Sequence, residues 1–375
     1  MICMDNPDFD VIIVGGGPAG ATLAYFLMKY VDEQGVGKES LSRIKVMLVE
    51  RHDGKEYDSY HHKCGEGISK KGLDIIKPRA SIVREIHEGI EHWGNAPDSK
   101  ITFNLFIIDR SATFRSMLDD FIARGGGITR DVFLAATKHP EGNVLVKLES
   151  GRTVTCRLLV GADGPNSRVR KVCGFGSAKL TTVEQYLIPC KENMTFIEMW
   201  YDKKYKGVYK YRFPAENGRA KIGYIHGTEE YKEEIIAIQA RPVAWGGLET
   251  YYKDGVVLIG DAAAQCNPIT GGGMRVAFVA AKKLASSLAS VSVIEQGEKR
   301  SAAFKNAASL FSHEWKKTPY ESGKYIRAHE AFENMTTAEL ESFSEPLRKN
   351  PLSIILKAKW WWLYRAFINS DKYAW

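Results

Sequence analysis

The first half of the chain is marked by short, continuous apolar runs. Residues 10–14 form one, the pattern of a strand buried on both faces. Glycines at 15, 16, 17 and 20 follow it. Apolar side chains then recur at Leu23, Phe26, Leu27 and Tyr30, a helical spacing. The polar stretch 31–43 predicts a surface loop, and Ile44–Val49 a second buried strand ending at Glu50. Residues 51–69, rich in glycine, histidine and charge, suggest no regular element. Further on, 101–108 predicts a strand. Residues 109–124 predict a helix whose apolar face is Phe114, Met117, Leu118, Phe121 and Ile122. Two more strands are expected at 144–148 and 153–160, the second running into Gly161-Ala162-Asp163-Gly164. From 181 to 226 apolar and polar residues alternate and aromatics are frequent, which predicts an antiparallel sheet with one face on a cavity or core. A buried strand at 256–259 enters Gly260-Asp261, residues 271–290 read as a glycine-led helix, and the chain beyond 300 is mostly helical.

Strand-and-turn elements of nucleotide-binding type thus occur at the start, middle and three-quarter points, with a β-rich segment between them. The predicted fold is α/β, α+β overall. A Rossmann-like nucleotide domain is discontinuous over 1–80, 101–175 and 246–300. An antiparallel-sheet substrate domain, from 81–100 and 176–245, is inserted into it, and 301–375 forms a C-terminal helical region.

Composition narrows the function classes. The 375 residues are 44% hydrophobic and 26% charged, ordinary for a globular protein. The net charge of +7 is spread along the chain. It suits an anionic cofactor, an acidic partner or an anionic membrane surface, and no nucleic-acid motif is present. The six cysteines are widely spaced and include no C-x-x-C pair, so neither a disulfide scaffold nor a zinc ribbon is expected. His61, His62 and Cys64 lack a fourth ligand, and adjacent histidines point different ways, so no metal is expected there. No charged-then-apolar leader precedes the first strand and no apolar run reaches membrane-spanning length, so the expected location is cytoplasmic.

The chemistry begins at Gly15-x-Gly17-x-x-Gly20, with Pro18 and Ala19 inside it. Between a strand and a helix, the first glycine permits the tight turn, the second admits a pyrophosphate, and the third lets helix pack on strand. The helix N-terminus offers bare N–H groups to phosphate. Glu50, followed by Arg51, stands where a carboxylate accepts from ribose hydroxyls. It lies 30 residues after Gly20, beyond the usual spacing of about 20, because of the loop at 31–43.

Gly161-Ala162-Asp163-Gly164-Pro165-Asn166-Ser167-Arg168 and Gly260-Asp261-Ala262-Ala263 resemble the second and third nucleotide motifs of the group-A flavoproteins, a family of aromatic hydroxylases, halogenases and geranylgeranyl reductases. The resemblance implies FAD as cofactor, with Asp163 and Gly164 near the pyrophosphate. It further implies that Gly260 and Asp261, with Arg110, lie at the ribityl chain, and that Gly271, Gly272, Gly273 and Met274 lie beside the flavin N1–C2 edge. A helix N-terminus at that edge would stabilise the charge of reduced flavin.

Two segments resemble the geranylgeranyl reductase branch. Lys63-Cys64-Gly65-Glu66-Gly67-Ile68-Ser69 is similar to a motif whose cysteine lies over the isoalloxazine face; here Cys64 is either an acid near the reacting bond or a residue that orders the loop. Tyr209-Lys210-Tyr211-Arg212-Phe213-Pro214 resembles a substrate-domain motif in which tryptophan usually stands at the place of Tyr211. Alternation puts Tyr209, Tyr211 and Phe213 on one strand face, lining either a polyprenyl slot or a sheet core. The implied activity is reduction of isoprenoid C=C bonds by reduced FAD, with Cys64, Gly65 and Glu66 at the reacting end and Tyr209, Tyr211, Phe213 and Pro214 against the lipid. Its partners would be a polyprenyl lipid and an external donor, ferredoxin or NAD(P)H. A flavin monooxygenase of an aromatic or other small substrate would share every FAD motif. The stretch 352–367, apolar and aromatic with interspersed cations, suits either a peripheral membrane contact or a helix packed over the core.

Overall fold

Residues 6–35, 43–139, 142–190, 194–291, 297–349 and 358–374 are described by a computed structural model. The opening apolar run becomes strand β1 (Phe9–Val14), buried through five of its six residues, and the glycine turn feeds helix α1 (Pro18–Glu33) with Pro18 at its first turn. Next come β2 (Val46–Glu50), α2 (Gly54–His61), β3 (Gly67–Ser69), α3 (Lys70–Ile76), β4 (Ser81–Trp93) and β5 (Ser99–Asp109). Helix α4 (Arg110–Ala123) leads to β6 (Gly127–Arg130), β7 (Phe133–Lys138), β8 (Val144–Leu148), β9 (Thr153–Gly161) and α5 (Arg168–Val172). A run of strands follows: β10 (Lys179–Pro189), β11 (Phe196–Tyr201), β12 (Lys210–Ala215), β13 (Arg219–Ile225), β14 (Ala237–Trp245), β15 (Tyr252–Lys253) and β16 (Val256–Leu258). The chain closes with α6 (Met274–Val291), α7 (Glu298–Lys317), α8 (Ile326–Asn334), α9 (Thr337–Lys349) and α10 (Trp361–Ala374).

Two sheets result. The nucleotide sheet runs β15-β16-β9-β1-β2-β6, with the β7–β8 hairpin paired to β9. Its core strands β16, β9, β1, β2 and β6 are parallel, so their carboxyl ends open together onto one edge. The second sheet runs β14-β10-β13-β12-β11-β4-β5-β3.

This sheet corrects the expected boundaries. Residues 67–69 and 101–109 were expected in the nucleotide domain, but β3 and β5 belong to the second sheet. Once β4 joins that sheet, its hairpin partner β5 must follow, and β3 pairs with β5. The sheet is also not wholly antiparallel, because β4 and β11, from hairpin modules far apart in sequence, meet in parallel. Residues 54–61, expected to be irregular, form α2; only Tyr57 and His61 of that helix are buried, too few for an apolar periodicity. Ile122 is exposed despite its place in the predicted apolar face of α4, and α6 begins at Met274, three residues after the predicted start.

The region beyond 300 is not a separate helical unit. Phe304, Phe311 and Trp315 of α7 lie in the nucleotide core. The guanidinium groups of Arg157 and Arg300 converge on the buried Asp10 carboxylate at 2.9 and 3.0 Å, tying α7 to β1 and β9. Helices α8, α9 and α10 close a second core with Trp93 of β4. Leu363 and Tyr364 of α10 are buried there while Trp361, and Ile368 just past the segment, face out, so the described part of the 352–367 segment packs with one face and exposes the other. Residues 352–357 lie outside the described residues. No described helix is long and apolar enough to cross a membrane.

Candidate active site

Between the carboxyl edge of the nucleotide sheet and the face of the second sheet lies a cavity of about 560 Å³. Every residue expected at the cofactor, the reacting bond or the lipid lines it except Gly20 and Pro214. Gly20 acts by packing: a Cβ there would collide with the Gly15 carbonyl and lie 3.4 Å from Ala162 Cβ. Pro214 follows the cavity-facing Phe213, so strand alternation turns it to the opposite face, opposite Ala220.

The glycine turn is built for backbone approach. Gly15 has φ +100°, and a Cβ on it would stand 2.5 Å from the Ala162 carbonyl oxygen. Glu50, at the end of β2, accepts from the Gly16 amide at 2.6 Å and the His52 amide at 2.8 Å. Its carboxylate is thereby fixed at the rim, with lone pairs left for a ribose. Tyr57 adds a hydrogen bond from its hydroxyl to the Gly16 carbonyl at 2.8 Å. The Asp163 carboxylate is engaged within its own turn. It accepts from Ser167 Oγ and from the amides of Arg168 and Val169, at 2.5, 2.7 and 3.1 Å, and so caps α5. What this motif brings to the cavity is its turn, held by Arg170, which donates to the carbonyls of Pro165 and Ala262.

Asp261 is different. Its carboxylate faces the cavity, and burial raises its pKa even though Arg241, Arg110 and Arg170 pull it down. Arg110 donates to the His61 carbonyl at 3.0 Å, and Arg241 of β14 reaches Asp261 at 3.5 Å. The Nε atoms of Arg110 and Arg241 are buried with no hydrogen-bond partner among the described residues. Buried donors without acceptors are costly, roughly 1–3 kcal/mol each, so an oxygen-rich anionic ligand fits here. The loop 267–273 is shaped by Asn267, whose Oδ1 accepts from the amides of Ile269 and Thr270. Its Gly272 is backed by the carbonyl of Ala374, at the end of α10.

Opposite this cradle sits the Cys64 loop. Glu66 adopts φ +63°, and its amide donates to Cys64 Sγ at 3.4 Å. Its buried carboxylate takes His62 Nδ1 at 3.2 Å and the ammonium of Lys221. Lys221, on β13, also donates to the Cys64 carbonyl at 3.0 Å. Gly65 has no room for a side chain, since a Cβ would lie 2.8 Å from the Phe213 ring. The aromatic strand therefore rests directly on the loop. Tyr209 is anchored through its hydroxyl to the Thr270 carbonyl at 2.7 Å, and Tyr211 to Gln185 at 2.9 Å. The two neighbouring histidines diverge: His61 packs against Tyr57, Tyr60 and Phe114, and burial drives its pKa to about 2.

Arg241, Gln185 and Lys221 escaped the sequence reading. The only trace of Arg241 was a charge breaking an otherwise weakly polar strand at 237–245.

A dinucleotide cradle that ends in a glycine-led helix at an apolar, cysteine-bearing cavity defines an FAD-dependent oxidoreductase. The chain belongs to the FAD binding domain family, whose model matches residues 8–102 and 189–312, and within it groups with the geranylgeranyl reductases. It is 25% identical to digeranylgeranylglycerophospholipid reductase 2 of Methanopyrus kandleri, covering 94% of this chain and 93% of that one. It is equally 25% identical to digeranylgeranylglycerophospholipid reductase of Methanosarcina mazei, over 91% of this chain and 88% of that one. Among solved structures, a geranylgeranyl bacteriochlorophyll reductase-like protein from Thermoplasma acidophilum superposes with a TM-score of 0.74 at 19% identity, covering 91% and 92% of the two chains. The p-nitrophenol 4-monooxygenase of Pseudomonas putida shares the fold, with a TM-score of 0.65 at 14% identity, over 91% and 94%.

Proposed function

We propose that this protein reduces isoprenoid C=C bonds of a geranylgeranyl-type lipid. One observation carries the reading: the cofactor cradle, the Cys64 loop and the aromatic face of Tyr209, Tyr211 and Phe213 line one cavity. The names of the relatives that match over nearly the whole chain point to the same substrate class.

FAD would be held by the turn at Gly15–Ala19, by Glu50 and Arg51 at the ribose, by Arg110 and Asp261 along the ribityl chain, and by Gly271–Met274 at the ring edge. Once bound and reduced, it supplies the hydride. The remaining work falls to the chain's own groups. The tyrosine hydroxyls are tied to Thr270 and Gln185, so the strand presents ring faces to the lipid. Those faces exclude water, and a dry site strengthens interactions with charge that develops at the alkene. Cys64 stands on the loop beneath the strand, where a thiol proton reaches the reacting bond. The electron donor is an external one, a nicotinamide or a ferredoxin. The outward face of α10, with Trp361 and Ile368 beside Arg365, rests on an anionic membrane that supplies the lipid.

Anaerobic stopped-flow absorbance tests the reading. Photoreduced holoprotein mixed with a geranylgeranyl phospholipid should recover the oxidised flavin spectrum without oxygen. A spectrum that recovers only when oxygen is admitted, with hydroxylation of an aromatic compound, would establish the monooxygenase instead.

A further inference from the structure

Saturating a C=C bond consumes one hydride and one proton. The cofactor accounts for the hydride. The proton must cross from solvent into a cavity whose lipid wall is aromatic. A polar route exists on the other side, beneath the Cys64 loop.

The His62 side chain is 43% exposed and lies outside the cavity lining, whereas Glu66 is only 8% exposed and lines it. His62 Nδ1 and Glu66 Oε1 are 3.2 Å apart, so one short pair spans from the outer surface to the active site. The other Glu66 oxygen is gripped by Lys221, which also donates to the carbonyls of Cys64 at 3.0 Å and His62 at 3.4 Å. Three anchor points on one ammonium hold both ends of the loop in register with the second sheet. A structural ion pair would be served by Lys221 and Glu66 alone. The addition of a titratable, half-open imidazole to the outer oxygen is what a conduit requires.

We infer that His62 and Glu66 form the inlet through which solvent protons reach the flavin cavity, with Lys221 as the positioning residue that keeps the Glu66 carboxylate in line. The proton's use in alkene reduction rests on the reductase reading above; the inlet itself does not. The balance is simple. The imidazolium gives its proton to the carboxylate, the carboxyl passes it into the cavity to replace the proton that the Cys64 thiol gives to the alkene as the hydride arrives, and His62 regains a proton from water. The electrostatics agree. The hydrogen bond to Glu66 raises the His62 pKa against its partial burial, with Lys221 opposing and Asp109 of β5 assisting. Burial works against the Glu66 carboxylate, but the His62 hydrogen bond and the charges of Lys221 and of Arg110 on α4 hold its pKa below the usual value. Both shifts favour the charged form of the pair, which keeps the proton on the solvent side until it is drawn inward.

The test uses the FAD-loaded protein and its His62→Ala and Glu66→Gln variants, with FAD content and absorption spectrum recorded for each. In single turnover with a geranylgeranyl phospholipid, His62→Ala should slow flavin reoxidation by about 10²-fold, the scale of general acid–base catalysis. Added imidazole should restore the rate in proportion to its protonated fraction, and Glu66→Gln should be slow and not rescued. Proton uptake during lipid-free flavin photoreduction, followed with an indicator dye, should be slowed in both variants. Wild-type rates in His62→Ala, or a loss that imidazole does not restore while FAD remains bound, would overturn the inlet. If the lipid fails to reoxidise even the wild-type flavin, the reductase reading falls and the dye measurement alone decides the inlet: slowed uptake sustains it and unchanged uptake removes it.

Discussion

Arg241 Nη2 lies 3.5 Å from Asp261 Oδ2, and this pair joins the two sheets across the cavity. One residue comes from the edge strand β14 and the other from the turn after β16. Asp261 must be ionised to accept strongly from a ribityl hydroxyl, and burial already raises its pKa. Arg241→Met removes the strongest of the charges opposing that rise. FAD affinity should fall by about tenfold, the scale of a charge-assisted hydrogen bond of roughly 1–3 kcal/mol. A group with raised pKa gains its proton as pH falls, so FAD binding should weaken on acidification. In the variant that weakening should start at higher pH. Flavin fluorescence titrations across pH measure both effects.

Gly272 is the seat of the C-terminal helix. A Cβ there would stand 2.5 Å from the Ala374 carbonyl oxygen and 3.0 Å from Thr270 Oγ1. The backbone of α10 cannot yield without loosening two further ties, Arg275 to the Lys372 carbonyl at 2.7 Å and Asn267 to Ser370 at 3.1 Å. Gly272→Ala should therefore cost about 1–3 kcal/mol of stability, as overpacking does, and should lower FAD affinity. Deleting residues 372–375 removes the obstacle. In that background the same substitution should be nearly neutral in denaturant melts; an undiminished cost would show that the helix is not what constrains the loop.

Glu91 is a buried carboxyl on β4 that accepts from Trp93 Nε1 at 3.2 Å, and burial pushes its pKa from 4.5 to about 7. Because the folded state holds this proton more tightly than the unfolded one, its contribution is complete below the unfolded pKa and is lost as pH rises through about 7. Between about pH 6 and pH 8 the protein should lose roughly 1 kcal/mol of stability from this group. Glu91→Gln should remove that slope, which chemical denaturation at several pH values would reveal.

How much of this was legible in the sequence follows from the range of the interactions. The Gly15–Gly20 turn, Glu50 and Asp261 were readable because each depends on a strand and its own next few residues. Arg241 and Lys221 were not. They reach the cavity only because β13 and β14 both pair with β10 in one sheet, and their partners, Asp261 and Glu66, lie 20 and 155 residues away along the chain. The misplacement of β5 has the same origin, since its membership is decided by β4 and not by its own apolar pattern. The Asp163–Gly164 turn was readable in the same way, but nothing in a Gly-Ala-Asp-Gly run says that the carboxylate will cap α5.

The outward face of α10 makes a separate prediction. Trp361 is 53% exposed, with Arg365 over its ring. Trp361→Ser should reduce co-sedimentation with anionic vesicles while leaving FAD content and stability unchanged. Wild-type protein that remains in the supernatant at low salt would remove the membrane contact from the account.

Whether this protein saturates isoprenoid C=C bonds is read most directly from the product. Photoreduced holoprotein is incubated anaerobically with a digeranylgeranyl glycerophospholipid, and the extracted lipid is analysed by mass spectrometry. The lipid should gain the mass of H₂ for each C=C bond saturated, matched to flavin oxidised. Unchanged lipid beside a flavin that stays reduced until oxygen enters would contradict the reductase reading.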